Sequence, residues 1–158
     1  MHPIRTLLGC GLLLGALAPA WAETAAEAVG VEAPYVRAVP PGQRNSAAFM
    51  RLNNGADRAH ALVGARSPVA EAVELHTHSM RDGMMSMRPV ERVDLPAREV
   101  VSLQPGGLHV MLIGLQQQLE LGQEVSLTLM FEDGSERELG APVQKINVEA
   151  MQHQHHNH

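Results

Sequence analysis

The sequence predicts an all-β fold, a single antiparallel Greek-key β-sandwich, and three features predict it. Short runs of alternating apolar and polar residues recur along most of the chain, as in Val125, Leu127, Leu129 and Phe131 with Ser126, Thr128 and Met130 between them. These runs are separated by strong turn formers: Pro40-Pro41-Gly42, Asn53-Asn54-Gly55, Arg81-Asp82-Gly83, Pro105-Gly106-Gly107 and Glu132-Asp133-Gly134. No segment sustains the 3.6-residue period of an amphipathic helix.

Residues 1–22 read as an export signal. Arg5 supplies the positive n-region, Thr6 to Ala18 an apolar h-region rich in leucine, and Ala20-Trp21-Ala22 the small-x-small cleavage pattern. The apolar run is too short for a permanent bilayer span, so no stable membrane insertion and a periplasmic location are expected. Leu7-Leu8-Gly9-Cys10 resembles a bacterial lipobox. Lipoprotein processing there is the weaker rival, because cleavage would leave almost no h-region before the cysteine.

Residues 23–30, small and polar, are expected to form a flexible leader. The domain proper is placed at residues 31–148, with strands over residues 35–38, 46–53, 59–65, 72–77, 84–93, 99–103, 108–113, 124–132 and 143–148. Residues 149–158, MQHQHHNH at their end, form a separate Met/His-rich tail with no apolar pattern, expected to be disordered without a ligand.

The chain has 158 residues and a formal net charge of -5, which excludes a basic surface for nucleic acid. Its one cysteine, Cys10, lies in the export segment. The exported chain therefore has no disulfide, thiolate nucleophile, zinc-thiolate site or Fe–S cluster. A soft-metal site has to be built from thioethers and imidazoles.

Such donors cluster. Residues 75–115 contain His76, His78, Met80, Met84, Met85, Met87, His109 and Met111. In a strand, residues two apart share a face, so His109 and Met111 lie opposite Leu108, Val110 and Leu112. Glu74 and His76 likewise lie opposite Val73 and Leu75. A hairpin at Asp82-Gly83 is expected to bring Met87 beside His76. Two thioethers and two imidazoles suit Cu(I): neutral, soft donors prefer it over hard or borderline cations. Zinc favours cysteine, carboxylate or further histidine, and a blue-copper site needs a thiolate.

The spacing His76-x10-Met87-x21-His109-x-Met111 resembles the H-x10-M-x21-H-x-M signature of the periplasmic PCu(A)C copper chaperones. VRAVPPGQRNSAAFMRLNN, VELHTH, DGMMSMRPV and LQPGGLHVMLIGL resemble that family's segments too, over about residues 31–148. The resemblance implies a cupredoxin-like sandwich with His76, Met87, His109 and Met111 as Cu(I) ligands. It implies delivery towards the Cu(A) site of cytochrome c oxidase subunit II, or to another copper-accepting assembly factor. Tyr35 and Arg98 depart from the Trp and Gly that family members often carry there; neither is a ligand.

On the tail, His153, His155, His156 and His158, with Met151, form a possible Cu(II) site, since Cu(II) favours nitrogen ligands. Met84 and Met85 are expected to be packing or rim residues, and Met50 and Met130 core or sheet-face residues. His78 and Met80 are candidates for a second, weaker copper contact, and His60 is expected at the surface. No nucleophile elbow, phosphate loop or paired-carboxylate motif supports an enzyme. The expected function is a monomeric periplasmic copper chaperone, the alternative a copper buffer or resistance protein without a dedicated acceptor.

Overall fold

The structure is a computed structural model that describes residues 22–146, the side chain of Arg81 excepted. The expected export segment before Ala22, the end of the expected domain at residues 147–148 and the His-rich tail lie outside the described residues. One short helix, α1 (Ala25–Ala28), leads into ten strands. These are β1 (Val29–Arg37), β2 (Asn45–Asn54), β3 (His60–Arg66), β4 (Ala70–Arg81), β5 (Met84–Pro89), β6 (Val93–Leu95), β7 (Val100–Leu103), β8 (His109–Leu115), β9 (Glu124–Phe131) and β10 (Glu136–Gln144).

The strands follow one path, β5-β4-β8-β2-β1-β10-β9-β3-β6, with β7 added to β2. Every pairing is antiparallel except β1 with β10, a short parallel contact at Val36↔Val143 and Arg37↔Gln144 that joins the two halves. Along one edge of β2, Asn45–Ala48 pair with β8 and Met50–Asn53 with β7. Inward residues from both halves meet in a single cluster that includes Leu52, Leu62, Leu95, Val110, Leu112, Leu127, Leu129 and Phe131. Each such side chain withdrawn from water contributes about 1.5–3 kcal/mol, so the fold is held by the alternation read from the sequence.

Residues 84–93, expected as one strand, divide into β5 beside β4 and β6 beside β3, and two further segments depart from the sequence expectation. Residues 23–30 are not a flexible leader. Thr24 and Glu27 close a capping box around α1, Ala25 is fully buried, and β1 begins at Val29. Distant residues fasten the segment: Asp133 accepts from the Ala25 amide at 2.7 Å, and Arg137 donates to the carbonyls of Ala26 and Val29. The last described strand runs from Glu136, well before the expected start at residue 143. Its alternation is muted because Arg137 and Leu139 are only half-buried while Glu136, Glu138 and Gly140 face out.

His60 also corrects its expectation. It is 4% exposed, and its Nδ1 lies 2.7 Å from Glu132 Oε1, so a carboxylate from the β9–β10 turn satisfies the imidazole beneath the surface. Arg98 occupies the left-handed region at φ 62, a conformation that costs an L-residue roughly 1–2 kcal/mol and explains why glycine suits that position.

Candidate metal centre

Four neighbouring strands build the candidate centre on one face of the sheet. The β4–β5 hairpin turns through Asp82 and Gly83, both with positive φ (52° and 77°), the two-residue turn whose twist matches antiparallel strands. That tight turn sets the register Met80↔Met85, His78↔Met87 and His76↔Pro89. On its other side β4 pairs with β8 as His76↔His109 and Glu74↔Met111. β8 in turn places Met111 opposite Ala47 of β2. Directly opposed residues point to the same side of a sheet. Glu74, His76, His78, Met87, His109 and Met111 therefore share one face, while Leu75, Val110 and Leu112 go to the core.

The floor is aromatic. Tyr35 lies opposite Phe49, their ring centroids 5.3 Å apart, and Phe49 lies 6.3 Å from His109. A bulge in β1, where Ala33 takes φ 47 and the register with β2 shifts, sets this pairing. His109 is 3% exposed. Its ring centroid stands 5.8 Å from that of His76 and 5.3 Å from that of His78. A cleft of about 160 Å³ opens over it, its lining including Arg37, Phe49, His78, Met87, His109, Met111 and Ile146.

The imidazoles are held by their remaining nitrogens. His109 Nδ1 donates to the Gly107 carbonyl at 3.0 Å, which leaves Nε2 as a lone-pair donor. His76 Nε2 lies 2.8 Å from Glu74 Oε2, so it carries the proton and Nδ1 carries the lone pair. That Nδ1 is buried with no hydrogen-bond partner, which normally costs stability; a bound cation would satisfy it. A carboxylate behind a histidine is the arrangement that orients metal-binding imidazoles. Burial, above all, pushes the His109 pKa below its ordinary value. The Gly107 bond opposes this in part, and His78, His76 and Arg37 add to the lowering. The ring thus stays neutral and open to a metal at pH values where a free histidine would begin to protonate.

Of the four residues predicted from sequence, Met87, His109 and Met111 line the cleft. His76 is not among the lining residues; its side chain, 13% exposed, stands beside His109. The pairing differs by one rung from the expectation: Met87 faces His78, not His76. His78, expected only in a weaker second contact, lines the cleft itself. A two-residue turn at Asp82-Gly83 fixes this register by counting outward from it, so the signal was in the sequence. Glu74 lies on the face that alternation predicts, opposite Met111, and its carboxylate contacts His76, a contact that spacing alone does not reveal. Among the described residues, no three His, Cys, Asp or Glu side chains gather as a metal set; a site here needs methionine sulfur. Met151, His153, His155, His156 and His158 lie outside the described residues.

Residues 29–143 match the sequence model of the LpqE-like lipoprotein family. A protein described as a lipoprotein in Leifsonia xyli subsp. xyli (strain CTCB07) is 36% identical over 145 residues, spanning 89% of this chain and 84% of the relative. Among solved structures, the copper-bound PCuAC domain from PmoF2 superposes with a TM-score of 0.66 at 27% identity, over 78% of this chain and 98% of that domain. The solution structure of Cu(I)-DR1885 from Deinococcus radiodurans gives a TM-score of 0.60 at 37% identity, over 79% and 85% of the two chains.

Proposed function

Since the chain belongs to the LpqE-like family and its solved structural neighbours include a copper-bound PCuAC domain and Cu(I)-bound DR1885, we propose that it is an exported copper carrier. It binds Cu(I) through His76 Nδ1, Met87 Sδ, His109 Nε2 and Met111 Sδ, and passes the ion on for assembly of the Cu(A) site of cytochrome c oxidase. The observation that carries this reading is the meeting of Met87, His109 and Met111 around one small cleft, with the ring of His76, its Nδ1 buried and unpartnered, beside His109.

The donor chemistry supports carriage over catalysis. Four neutral donors leave a single positive charge on the bound ion, and thioethers favour the reduced state. Met87 is 53% exposed, so its bond to the ion is open to replacement by an incoming thiolate of the acceptor. Exchange then runs downhill, ligand by ligand, towards the softer and more strongly binding set.

Cu(I) competition at sub-stoichiometric copper tests the site. His109→Ala and Met111→Ala should each weaken Cu(I) binding sharply while the fold survives; wild-type affinity in both sinks the assignment. His78 lines the cleft opposite Met87, which favours a second reading in which it replaces His76 as the fourth donor. Comparing His76→Ala with His78→Ala separates the two, since the true donor shows the larger loss.

For the cellular role, deletion of the protein should lower oxidase activity at low copper, with activity restored by added copper. Copper sensitivity without an oxidase defect supports buffering instead. The lipoprotein description of the Leifsonia relative favours membrane attachment through Cys10 as a second reading of location. Release of the protein from membranes on Cys10→Ala tests it. The Met151, His153, His155, His156 and His158 tail adds Cu(II) capacity in this proposal, read as a copper equivalent lost when residues 150–158 are removed.

A further inference from the structure

The β4–β5 hairpin continues past the cleft, and its outer end carries sulfur that nothing in the fold uses. Met80 and Met85 are directly paired across the two strands. They are 71% and 64% exposed and take no part in the hydrophobic cluster. Every residue of β5 is exposed, so the hairpin gains little burial from these side chains.

Alternation sorts the hairpin's two faces by chemistry. Met80, Met85, His78 and Met87 fall on the face of the cleft, while Thr77, Ser79, Ser86 and Arg88 fall on the other, where Ser79 Oγ and Ser86 Oγ lie 3.4 Å apart. Met84, paired with Arg81, is the one thioether on the hydroxyl face. Same-face rungs of a strand are separated by about 6.5–7 Å. The Met80/Met85 rung is thus one step from the His78/Met87 rung, which is one step from the His76 and His109 rung.

We propose that Met80 and Met85 form a second, weaker site for a soft monovalent cation, Cu(I) or Ag(I), which receives the ion before it moves down the hairpin to the cleft. Directly opposed Cβ atoms stand about 4.5–5.5 Å apart, and methionine's three flexible torsions let both sulfurs turn onto one ion. Two neutral donors in water hold such an ion loosely, which suits an entry point. His78 and Met87 then supply the next imidazole and thioether on the way inward. The direction of transfer rests on the copper reading above; the existence of the Met80/Met85 site does not.

The test uses the full chain labelled with ¹³C at the methionine methyl groups and titrated with Ag(I), each methyl resonance read separately. The first equivalent should shift Met87 and Met111, and further Ag(I) should shift Met80 and Met85 together. Met80→Leu with Met85→Leu keeps the apolar bulk and removes both sulfurs. This variant should retain the Met87 and Met111 response, lose the later binding step on the hairpin, and take up Cu(I) from a chelate more slowly at unchanged core affinity. Unmoved Met80 and Met85 methyls overturn the proposal, as does an unchanged uptake rate in the double variant. Silent Met87 and Met111 with responsive Met80 and Met85 would instead overturn the core assignment and leave the hairpin site standing.

Discussion

Glu74 offers the sharpest test of how the centre is organised. Its carboxylate holds His76 Nε2 at 2.8 Å and is itself about half exposed, opposite Met111. If Glu74 fixes the tautomer and ring angle of His76, Glu74→Ala frees that ring and lets Nδ1 turn away from the ion. Losing such an orienting partner typically weakens metal binding by about 10–100-fold, or roughly 1.4–2.8 kcal/mol. The fold should be unaffected, since Glu74 contributes no buried apolar surface and its bond is to one partly accessible ring.

The measurement is a double-mutant cycle with His76→Ala, each variant competed against a Cu(I) chelator with copper below one equivalent, so that tail donors are not recruited. Glu74→Ala should cost the full factor in the wild-type background and almost nothing once His76 is gone. Glu74→Gln, whose amide oxygen still accepts from Nε2, should recover most of the affinity. If Glu74→Ala costs the same factor in both backgrounds, the carboxylate acts by its charge alone and the orienting argument fails.

Two further predictions concern stability. Gly114 sits on β8 at φ 68, and a Cβ there would meet Glu71 Oε2 at 2.7 Å and Glu71 Cβ at 2.9 Å. Gly114→Ala should therefore destabilise by about 1–2 kcal/mol, seen as a Tm drop of several degrees, with Cu(I) affinity kept because His109 lies at the other end of the strand; an unchanged Tm refutes the strain argument. Asp133, whose carboxyl is lowered to about 2 chiefly by the Ala25 amide and then by Ser135, stabilises the fold above its ordinary pKa near 3.8. That contribution is lost as pH falls through about 2. Asp133→Asn should consequently lower Tm at neutral pH, and the gap to wild type should close on acidification from pH 4 towards 2; a gap independent of pH removes Asp133 from the account.

Much of this architecture is legible in the chain because one rule, two-residue alternation, governs both core and centre. Val125, Leu127, Leu129 and Phe131 read inward from the sequence and are buried to 2% or less. The same reading puts His109 and Met111 back to back with Val110 and Leu112. Where the reading failed, the deciding contact was remote in sequence. Thr24–Ala28 looks like loose polar chain until Asp133 and Arg137, more than a hundred residues away, fasten it. His60 looks solvated until Glu132 reaches it. The first half of the strand from Glu136 is hard to read in the sequence because exposed glutamates, a half-buried arginine and Gly140 dilute its pattern. The pairing of Met87 with His78 rather than His76 follows only from counting the hairpin register out from Asp82-Gly83, which face alternation within each strand does not give.

The parallel contact between β1 and β10 has a consequence for the end of the chain. It sets Gln144 beside Arg37, and Ile146, the last described residue, lines the cleft, so residues 147–158 continue the chain from the wall of the candidate centre. At no more than about 3.6 Å per residue, Met151 can range roughly 18 Å from that anchor and His158 about 43 Å. An ion taken up by the proposed tail site would be confined, by chain connectivity alone, to a volume that includes Met87 and His109, at an effective concentration on the order of millimolar. Moving the same histidines to the opposite pole of the domain would preserve their number and chemistry yet forfeit that local enrichment.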